Sequence, residues 1–243
     1  MGFNPNMSNK EVADLILLEY KNQKPYMNLD FANVTTTNLS AEREFATGGQ
    51  GAPNRIAFDY KRNGTLTIET QITTMKLFSM LSGADISNTF KYAKRYVLSA
   101  TEGKLTIPAG DTIVAGTVNV FEETDDCGTA LVVTAEGNQV TLPSGKTTGN
   151  YIVYAIVNVA SGAQTVKFNS KTFPKAFTIF GSTPWKTEDE EIVEMKLAYY
   201  KAIPQSTFEL AFSNSGIISM SITLDLMAND DGDIYDMSII DEE

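Results

Sequence analysis

The sequence predicts a mainly β protein with one short helix and a β-rich central segment. Apolar and polar residues alternate with a period of two in several segments near both ends of the chain. Clusters of Gly, Asn, Pro and Ser separate these segments, as turns separate strands. One segment instead has the spacing of an amphipathic helix. With 243 residues, 42% of them hydrophobic, the chain can bury a sizeable core.

The first pair of alternating segments predicts a β-hairpin over residues 55–72. Apolar side chains alternate with polar ones from Ile56 to Tyr60 and again from Leu66 to Ile72. Asn63-Gly64 lies between them, and Asn-Gly is the strongest short-range signal for a two-residue hairpin turn. The predicted hairpin therefore has one polar and one apolar face.

A short amphipathic helix is predicted directly after this hairpin, over residues 73–83. Apolar side chains recur every third or fourth position in Met75–Leu81. Thr73 or Thr74 can cap the N-terminus, and Gly83 suits the position just after the C-terminus. Because a one-sided sheet must cover its apolar face, this helix is the expected cover.

The C-terminal part predicts further one-sided strands. Apolar side chains alternate with others over residues 193–202 and again over 208–226, where a turn is predicted at Asn214-Ser215-Gly216. The alternation from Ile218 to Leu226 is the most regular in the sequence and predicts a sheet that packs on one side only. The acidic tail Met237–Glu243 is expected to fray.

The middle of the chain has short β-prone segments separated by Gly, Pro, Asp and Ser. It is predicted to form a β-rich insertion or subdomain at residues 99–165. The expected organisation is therefore two halves of one β-core, residues 1–98 and 166–243, with the insertion between them.

Composition makes an enzyme or a nucleic-acid-gripping protein a poor hypothesis. The formal net charge is −11, whereas phosphate neutralisation requires a basic patch. The sequence contains no histidine, which removes the commonest general base and the commonest metal ligand. Cys127 is the only cysteine, so neither an internal disulfide nor a thiolate metal cluster is expected. No secretion or membrane signal is visible near the N-terminus.

Four short segments allow a functional interpretation beside a structural one. Ser144-Gly145-Lys146-Thr147 ends like a phosphate-binding loop, but Val140 stands where that loop needs glycine, so a turn is favoured. Asn229–Asp233 resembles a calcium loop, although a hairpin turn suits its flanking strands better. The Gly-rich stretch Ala46–Asn54 is either a phosphate cradle or, preferably, a connector that orders against a neighbour. Trp185 is equally suited to core packing and to an interface.

The order of the predicted elements resembles the major tail-tube proteins of long-tailed bacteriophages. A Gly-rich loop at Glu42–Pro53 precedes the hairpin and the helix, and a β-rich elaboration separates these from the strand Met195–Ile203 and the following Pro204–Leu226. Three stretches carry the resemblance: FATGGQGAPNRIAFDYKRNGTLTIETQITTMKLFSMLSG, KTFPKAFTIFGSTPWK and MKLAYYKAIPQSTFELAFSNSGIISMSITLDLMANDDGDIYDM.

The resemblance implies a β-sandwich or half-barrel with one flanking helix, which assembles into hexameric rings with a continuous inner β-barrel. The rings stack into a hollow tube, so polar strand faces are expected to line the lumen and the Gly-rich loop to contact the next ring. Trp185 is the candidate interface anchor. The lumen candidates are Thr65, Thr67, Glu69, Gln71, Ser219, Ser221, Thr223 and Asp225, and the inter-ring candidates are Phe45, Gly48, Gly49, Gln50, Gly51 and Pro53.

The resemblance further implies a virion-tail protein that is assembled in the host cytoplasm and has no catalytic, cofactor or metal site. Its expected partners are further copies of itself, a tape measure, a terminator and, if the tail is contractile, a sheath; double-stranded DNA passes transiently. Other virion or secretion-system rings, such as a tail terminator or baseplate hub, remain alternatives on the same scaffold. A carbohydrate-binding β-sandwich and a carboxylate-dependent hydrolase are alternatives from other classes.

Overall fold

The protein is mainly β, as predicted, in a computed structural model that describes residues 6–214 and 216–240. The chain forms two compact units: the first comprises the residues up to Asp85 and from Lys167 onward, and the second is Ile86–Val166. The elements are β1 Met7–Ser8, β2 Asp14–Glu19, β3 Pro25–Leu29, β4 Ala32–Thr47, β5 Asn54–Thr70, α1 Met75–Ser82, β6 Phe90–Ala100, β7 Lys104–Thr106, β8 Asn119–Glu122, β9 Thr134–Glu136, β10 Gln139–Thr141, β11 Gly149–Val159, β12 Phe177–Thr187, β13 Ile192–Pro204, β14 Met220–Met227 and β15 Tyr235–Ile240.

In the described residues, the strands of the first unit form one sheet in the order β3-β2-β12-β13-β14-β5-β4. All neighbours are antiparallel, and β1 and β15 add to β12 and β13 respectively. The strand predicted over 193–202 is confirmed as part of β13. Fraying of the tail is wrong for Met237–Ile240, which pairs with β13; residues 241–243 lie outside the described part.

The core of the first unit is built from alternate residues of distant strands. Leu15 and Leu17 of β2 meet Leu66 and Ile68 of β5 in one cluster, all fully buried. Because side chains of a strand alternate between faces, the residues between these positions face away from the core. Apolar residues from β2, near one end of the sheet, and from β5, near the other end, therefore face the same core. The other core members are Ala13, Leu29, Leu77, Met80, Leu81, Phe177, Ile179, Tyr199, Ala202, Met220, Ile222, Leu224 and Leu226.

The helix predicted over 73–83 is confirmed as α1. The Thr74 side chain accepts a hydrogen bond from the Leu77 amide at 3.2 Å, which satisfies one of the unpaired donors at the helix start. Gly83 ends the helix in the left-handed conformation, with φ 70°, and its amide donates to the Ser79 carbonyl. Leu77 and Met80 are buried in the core, so the helix covers the apolar sheet face as expected.

The hairpin predicted over 55–72 is wrong. Strand β5 runs unbroken through Asn63-Gly64 and pairs with β4, so the true hairpin is β4–β5, whose connection spans residues 48–53. Gly64 allows close packing and does not form a turn, since a Cβ there would lie 3.1 Å from the Leu226 Cβ. The loop predicted at Glu42–Pro53 is accordingly shorter than expected, because its first part belongs to β4.

A β-bulge in β5 explains why the alternation is misleading here. Ser40 pairs with Asn63 and Glu42 with Tyr60, so two residues of β5, including Lys61 with φ 49°, lie opposite one residue of β4. One extra residue moves every later side chain to the other face. The apolar residues of Ile56–Tyr60 therefore lie on the face opposite Leu66 and Ile68, not on the same face.

The strand predicted over 208–226 is only partly correct. Strand β14 begins at Met220, and residues 205–219 form no strand where the structure describes them. Of the turn predicted at residues 214–216, Ser215 lies outside the described part.

The second unit contains two three-stranded antiparallel sheets, β6-β11-β8 and β7-β10-β9. Strands β6 and β11 pair over eleven positions, from Phe90–Val159 to Ala100–Gly149. The core of this unit includes Tyr96, Val120, Val140 and Val153. The boundary predicted at residue 98 falls within β6.

A polar network fixes the irregular segment that follows Pro108. The Asp111 carboxylate accepts hydrogen bonds from Lys94 Nζ at 2.7 Å and from the Tyr96 hydroxyl at 2.8 Å. Asn138 Nδ2 donates to the Asp111 carbonyl at 3.1 Å. The hydrogen bonds from Lys94 and Tyr96 lower the pKa of the Asp111 carboxyl below its ordinary value. The segment is thereby tied to β6 and to the β9–β10 turn.

A lowered carboxyl pKa gives a pH dependence of defined sign. The stabilisation of the fold by the ionised Asp111 carboxylate is complete above the pKa of this group in the unfolded chain, about 4. It is lost as the pH falls through the lower pKa of the same group in the folded protein. We expect Asp111→Asn to lower the melting temperature near neutral pH, and the difference from the wild type to shrink in acid. Thermal unfolding, followed by circular dichroism from neutral pH into acid, measures the difference in melting temperature. Glu136→Gln, at an exposed position on β9, is the control. A difference that stays constant in acid would contradict this role for Asp111.

Candidate functional site

A polar surface lies on the outer side of β5 and β14. The pairing places Ser221 opposite Glu69, Thr223 opposite Thr67 and Asp225 opposite Thr65. The intervening leucine and isoleucine side chains point into the core, so these six share the face that points away from it. The structure thus brings together six of the eight residues predicted from the sequence as lumen candidates.

The remaining two candidates lie just beyond the strand ends. Gln71 follows β5 and Ser219 precedes β14, and both are exposed. The Gln71 amide donates to the Asn33 side chain at 3.0 Å, which ties this end of β5 to β4. They extend the surface at one end but do not belong to the strand pairing.

Strand β4 widens this surface with residues that the sequence pattern does not reveal. Thr36 lies opposite Thr67, and Asn38 lies opposite Thr65, so both face the same way. We call the surface the polar face; its members on the three strands are Thr36, Asn38, Thr65, Thr67, Glu69, Ser221, Thr223 and Asp225. This set contains two carboxylates and no lysine or arginine.

Hydrogen bonds order part of the polar face. The hydroxyl oxygens of Thr67 and Thr223 lie 3.4 Å apart across the two strands. Gln205 Nε2 donates to the Asp225 carboxylate at 2.8 Å. The surface therefore presents hydroxyls, amides and carboxylates, a set that accepts hydrogen bonds but offers an anion no cation.

The far part of the β4–β5 hairpin, residues 40–63, extends away from the core and is called the arm. Its residues are exposed apart from the half-buried Gly48. Several of them are large and apolar: Phe45 is 45%, Ile56 57% and Phe58 56% exposed. A two-stranded ribbon is at best marginally stable alone in water, and exposed aromatic clusters indicate an interaction surface.

The two faces of the arm differ in chemistry. On the face that continues the polar face, Ile56 and Phe58 lie opposite Ala46 and Glu44. The other face carries an Arg43–Asp59 ion pair, with a nitrogen–oxygen distance of 2.5 Å, and the hydrogen bonds from Arg43 lower the pKa of Asp59. Because both partners are exposed, such a pair adds little to stability. The arm therefore has an apolar stripe on one side, composed of Ile56, Phe58 and Tyr60.

The tip of the arm is an ordered turn. Gly49 and Gly51 have φ values of 91° and 83°, which glycine adopts without strain. The Gly48 amide donates to the Pro53 carbonyl at 3.3 Å, and Arg55 Nε donates to the Gly48 carbonyl at 2.8 Å. Of the predicted inter-ring residues, Gly48, Gly49, Gln50, Gly51 and Pro53 lie in this turn, whereas Phe45 lies on β4.

Trp185 lies on β12 opposite Val193 and is half-buried. It is not a member of the core cluster of the first unit. Its indole nitrogen is buried and finds no hydrogen-bond acceptor in the described part of the chain. Its role as an interface anchor stays a prediction.

The two ligand-like motifs form turns. Lys146 of the Ser144–Thr147 segment forms an ion pair with Glu122, and strand β11 follows instead of a helix. In Asn229–Asp233 the Asn229 side chain accepts from the Asp231 and Asp233 amides, which closes the β14–β15 turn. Within residues 6–214 and 216–240, no group of three or more His, Cys, Asp or Glu side chains is arranged to hold a metal ion.

Comparison with known proteins identifies the family of the chain. No helix in the part of the chain that the structure describes is long and apolar enough to cross a membrane. No curated protein matches the chain. A sequence model of the YomU/Tube protein family matches residues 9–240, nearly the whole chain, which confirms the resemblance to tube proteins. The chain therefore belongs to the YomU/Tube protein family.

Proposed function

We propose that this protein is the structural subunit of a phage tail tube, in which hexameric rings stack into a hollow cylinder that conducts DNA. The exposed arm is the observation that carries the proposal. A ribbon with Phe45, Ile56 and Phe58 about half exposed needs another protein surface to cover it. Family membership makes further copies of this chain the natural partner.

The polar face suits the wall of a DNA channel. Phosphates approaching it meet the carboxylates of Glu69 and Asp225 and no cation, and the protein as a whole carries a net charge of −11. Six copies around one channel would repel the duplex at distances within a Debye length of about 10 Å. DNA can then pass without being held.

The sheet edges suit closure into a ring. In the described residues, β3 and β4 are the terminal strands of the sheet, and the outer side of each has no partner strand. Unpaired edge strands readily accept a strand from another chain. Pairing of β4 from one copy with an edge of the next would join the polar faces into one continuous inner surface.

The arm suits contact between successive rings. It extends beyond the sheet that would form the ring wall, and its tip is the ordered turn at residues 48–53. Phe45 and the tip residues would contact the neighbouring ring. The tape measure would contact the inner surface of the tube, and the terminator would contact its end. The product would be a virion tail assembled in the host cytoplasm.

Negative-stain electron microscopy of the concentrated protein, alone or seeded with tail initiator, tests the proposal. We expect stacked rings with a lumen wide enough for duplex DNA. If seeded and unseeded samples both contain monomers only, the tube proposal is overturned.

The polar face predicts a charge effect on assembled tubes. We expect Glu69→Lys with Asp225→Lys to leave tube formation intact but to make tubes retain duplex DNA, because lysines give phosphates a cationic partner. Co-sedimentation of tubes with DNA at low and high salt measures retention. The control, Glu102→Lys with Glu136→Lys, makes the same net charge change on exposed residues of the second unit. Equal DNA retention by the two variants would place these residues outside the lumen.

A further inference from the structure

A cavity of about 440 Å³ opens in the first unit, beside the C-terminal end of α1. The β2–β3 turn and the start of β12 form its other walls. Its apolar lining includes Tyr26, Met80 and Phe177, and the rings of Tyr26 and Phe177 pack with centroids 5.0 Å apart. Neither the polar face nor the arm contributes to it. An aromatic or aliphatic side chain is the natural occupant of such a lining.

Lysines surround this cavity in an otherwise acidic protein. Lys21 and Lys175 line it directly. Lys76 lies 5.0 Å from the ring centroid of Tyr26, and Lys201 lies 5.2 Å from that of Tyr20, both of which line the cavity. The acidic lining residues are Glu19 and Asp85. In the lining itself Lys21 and Lys175 balance the two carboxylates, and Lys76 and Lys201 add positive charge beside two of its rings, so the cavity favours an apolar side chain with a negative charge nearby.

A segment with this chemistry lies before β14 on the same unit. Phe208 anchors it, because its ring packs 5.2 Å from that of Phe168 and against the core. Beyond this anchor, Glu209 and Leu210 are exposed, and Phe212 is 87% exposed. An aromatic side chain left almost entirely in water gains free energy when a second surface covers it.

We propose that Phe212 of one copy inserts into the cavity of an adjacent copy, with Glu209 approaching the surrounding lysines. The inference rests on the proposed function, because it requires that copies of this chain assemble. Phe212 and the cavity are different surfaces of one chain, so their contact is heterologous. Such a contact continues from copy to copy and forms a ring where the rotation between copies closes, whereas a self-complementary contact stops at a dimer.

Site-directed cross-linking tests the contact directly. In a Cys127→Ser background, which removes the single native cysteine, Phe212→Cys is combined with Ala84→Cys on the cavity wall. Under conditions in which the wild type forms rings, mild oxidation is expected to link chains into a ladder on denaturing gels. Each single cysteine variant and the mismatched pair Phe212→Cys with Glu136→Cys should give no ladder beyond dimers. Cysteines more than about 7 Å apart at Cα do not bridge, so the ladder reports close approach.

A truncation variant supplies a second readout. We expect Phe212→Ala to raise the protein concentration needed for assembly about tenfold, as truncation of an interface hot spot does. The control Val132→Ala, at a position that is 89% exposed in the second unit, should leave that concentration unchanged. Two results together would overturn this contact but not the tube proposal. The cysteine variant would form rings without a cross-linked ladder, and Phe212→Ala would form rings at the same protein concentration as Val132→Ala. Absence of both rings and cross-links would overturn the two together.

Discussion

Replacement of Ile56 and Phe58 by aspartate is expected to abolish tube assembly while leaving the fold of the subunit intact. Both side chains are more than half exposed and contribute nothing to the core cluster, so the subunit has little stability to lose. In a tube the apolar stripe of the arm would be covered, and two carboxylates there would have to be buried without partners. Burial of an unpaired charge costs several kcal/mol, about a hundredfold or more in association.

The comparison needs both an assembly and a stability measurement. Sedimentation and electron microscopy should show rings for the wild type and monomers for the Ile56→Asp, Phe58→Asp variant. Melting temperatures of the two proteins should agree within about 2 °C, since the changes are made at the surface. Val97→Asp with Val132→Asp, at positions 52% and 89% exposed in the second unit, forms the matched control and should still assemble. Tubes of normal length from the arm variant would show that the stripe is not an assembly surface.

The parts of the fold that local patterns determine can be predicted from the sequence. The helix α1 is predictable because its caps, Thr74 and Gly83, and its apolar spacing all belong to one short segment. Strand β13 is predictable because Val193, Met195, Leu197 and Tyr199 alternate with other residues before its pairing with β12 changes register at residues 200–201. Local propensity and tertiary structure agree at these positions, which is why the sequence suffices there.

The parts that depend on pairing between distant residues cannot be predicted in this way. Asn63-Gly64 has the local signature of a turn, but the long partner strand β4 continues past it, and the bulge at Lys61 absorbs the change of register. Gly64 packs closely against Leu226, which is far away in the sequence. A single sequence contains no sign of that contact.

The candidate site shows the same division. The six paired members of the polar face on β5 and β14 are predictable, because alternation alone separates them from the core residues. Thr36 and Asn38 are not, since their alignment with β5 follows from a pairing that the sequence does not reveal. From periodicity alone, the apolar stripe of the arm would lie on the same face of β5 as Leu66 and Ile68, which is the face covered by the core. The bulge at Lys61 moves the stripe to the opposite face, and nothing in the periodicity indicates that bulge.

Gly83→Ala is expected to destabilise the first unit by about 2–5 kcal/mol. The left-handed backbone of Gly83, with φ 70°, costs a residue with a Cβ about 1–2 kcal/mol. A Cβ at this position would also lie 2.0 Å from the Phe173 carbonyl oxygen, a backbone atom that cannot rotate away. The segment around Phe173 would have to move, and the 3.3 Å hydrogen bond from the Thr172 hydroxyl to the Ser82 carbonyl holds it in place. Overpacking of this kind costs about 1–3 kcal/mol more.

Gly232→Ala separates the two contributions, because Gly232 has φ 92° but a Cβ at this position would have no atom within 4 Å. The Gly232→Ala variant should lose only the free energy of unfolding that the left-handed backbone costs a residue with a Cβ, about 1–2 kcal/mol. Urea unfolding of the wild type and of both variants measures the difference through the midpoints at unchanged slope. A Gly83→Ala protein as stable as Gly232→Ala would mean that the Phe173 segment yields without cost. The excess loss in Gly83→Ala, if found, is the free energy needed to displace or strain the Phe173 segment where it packs against the end of α1.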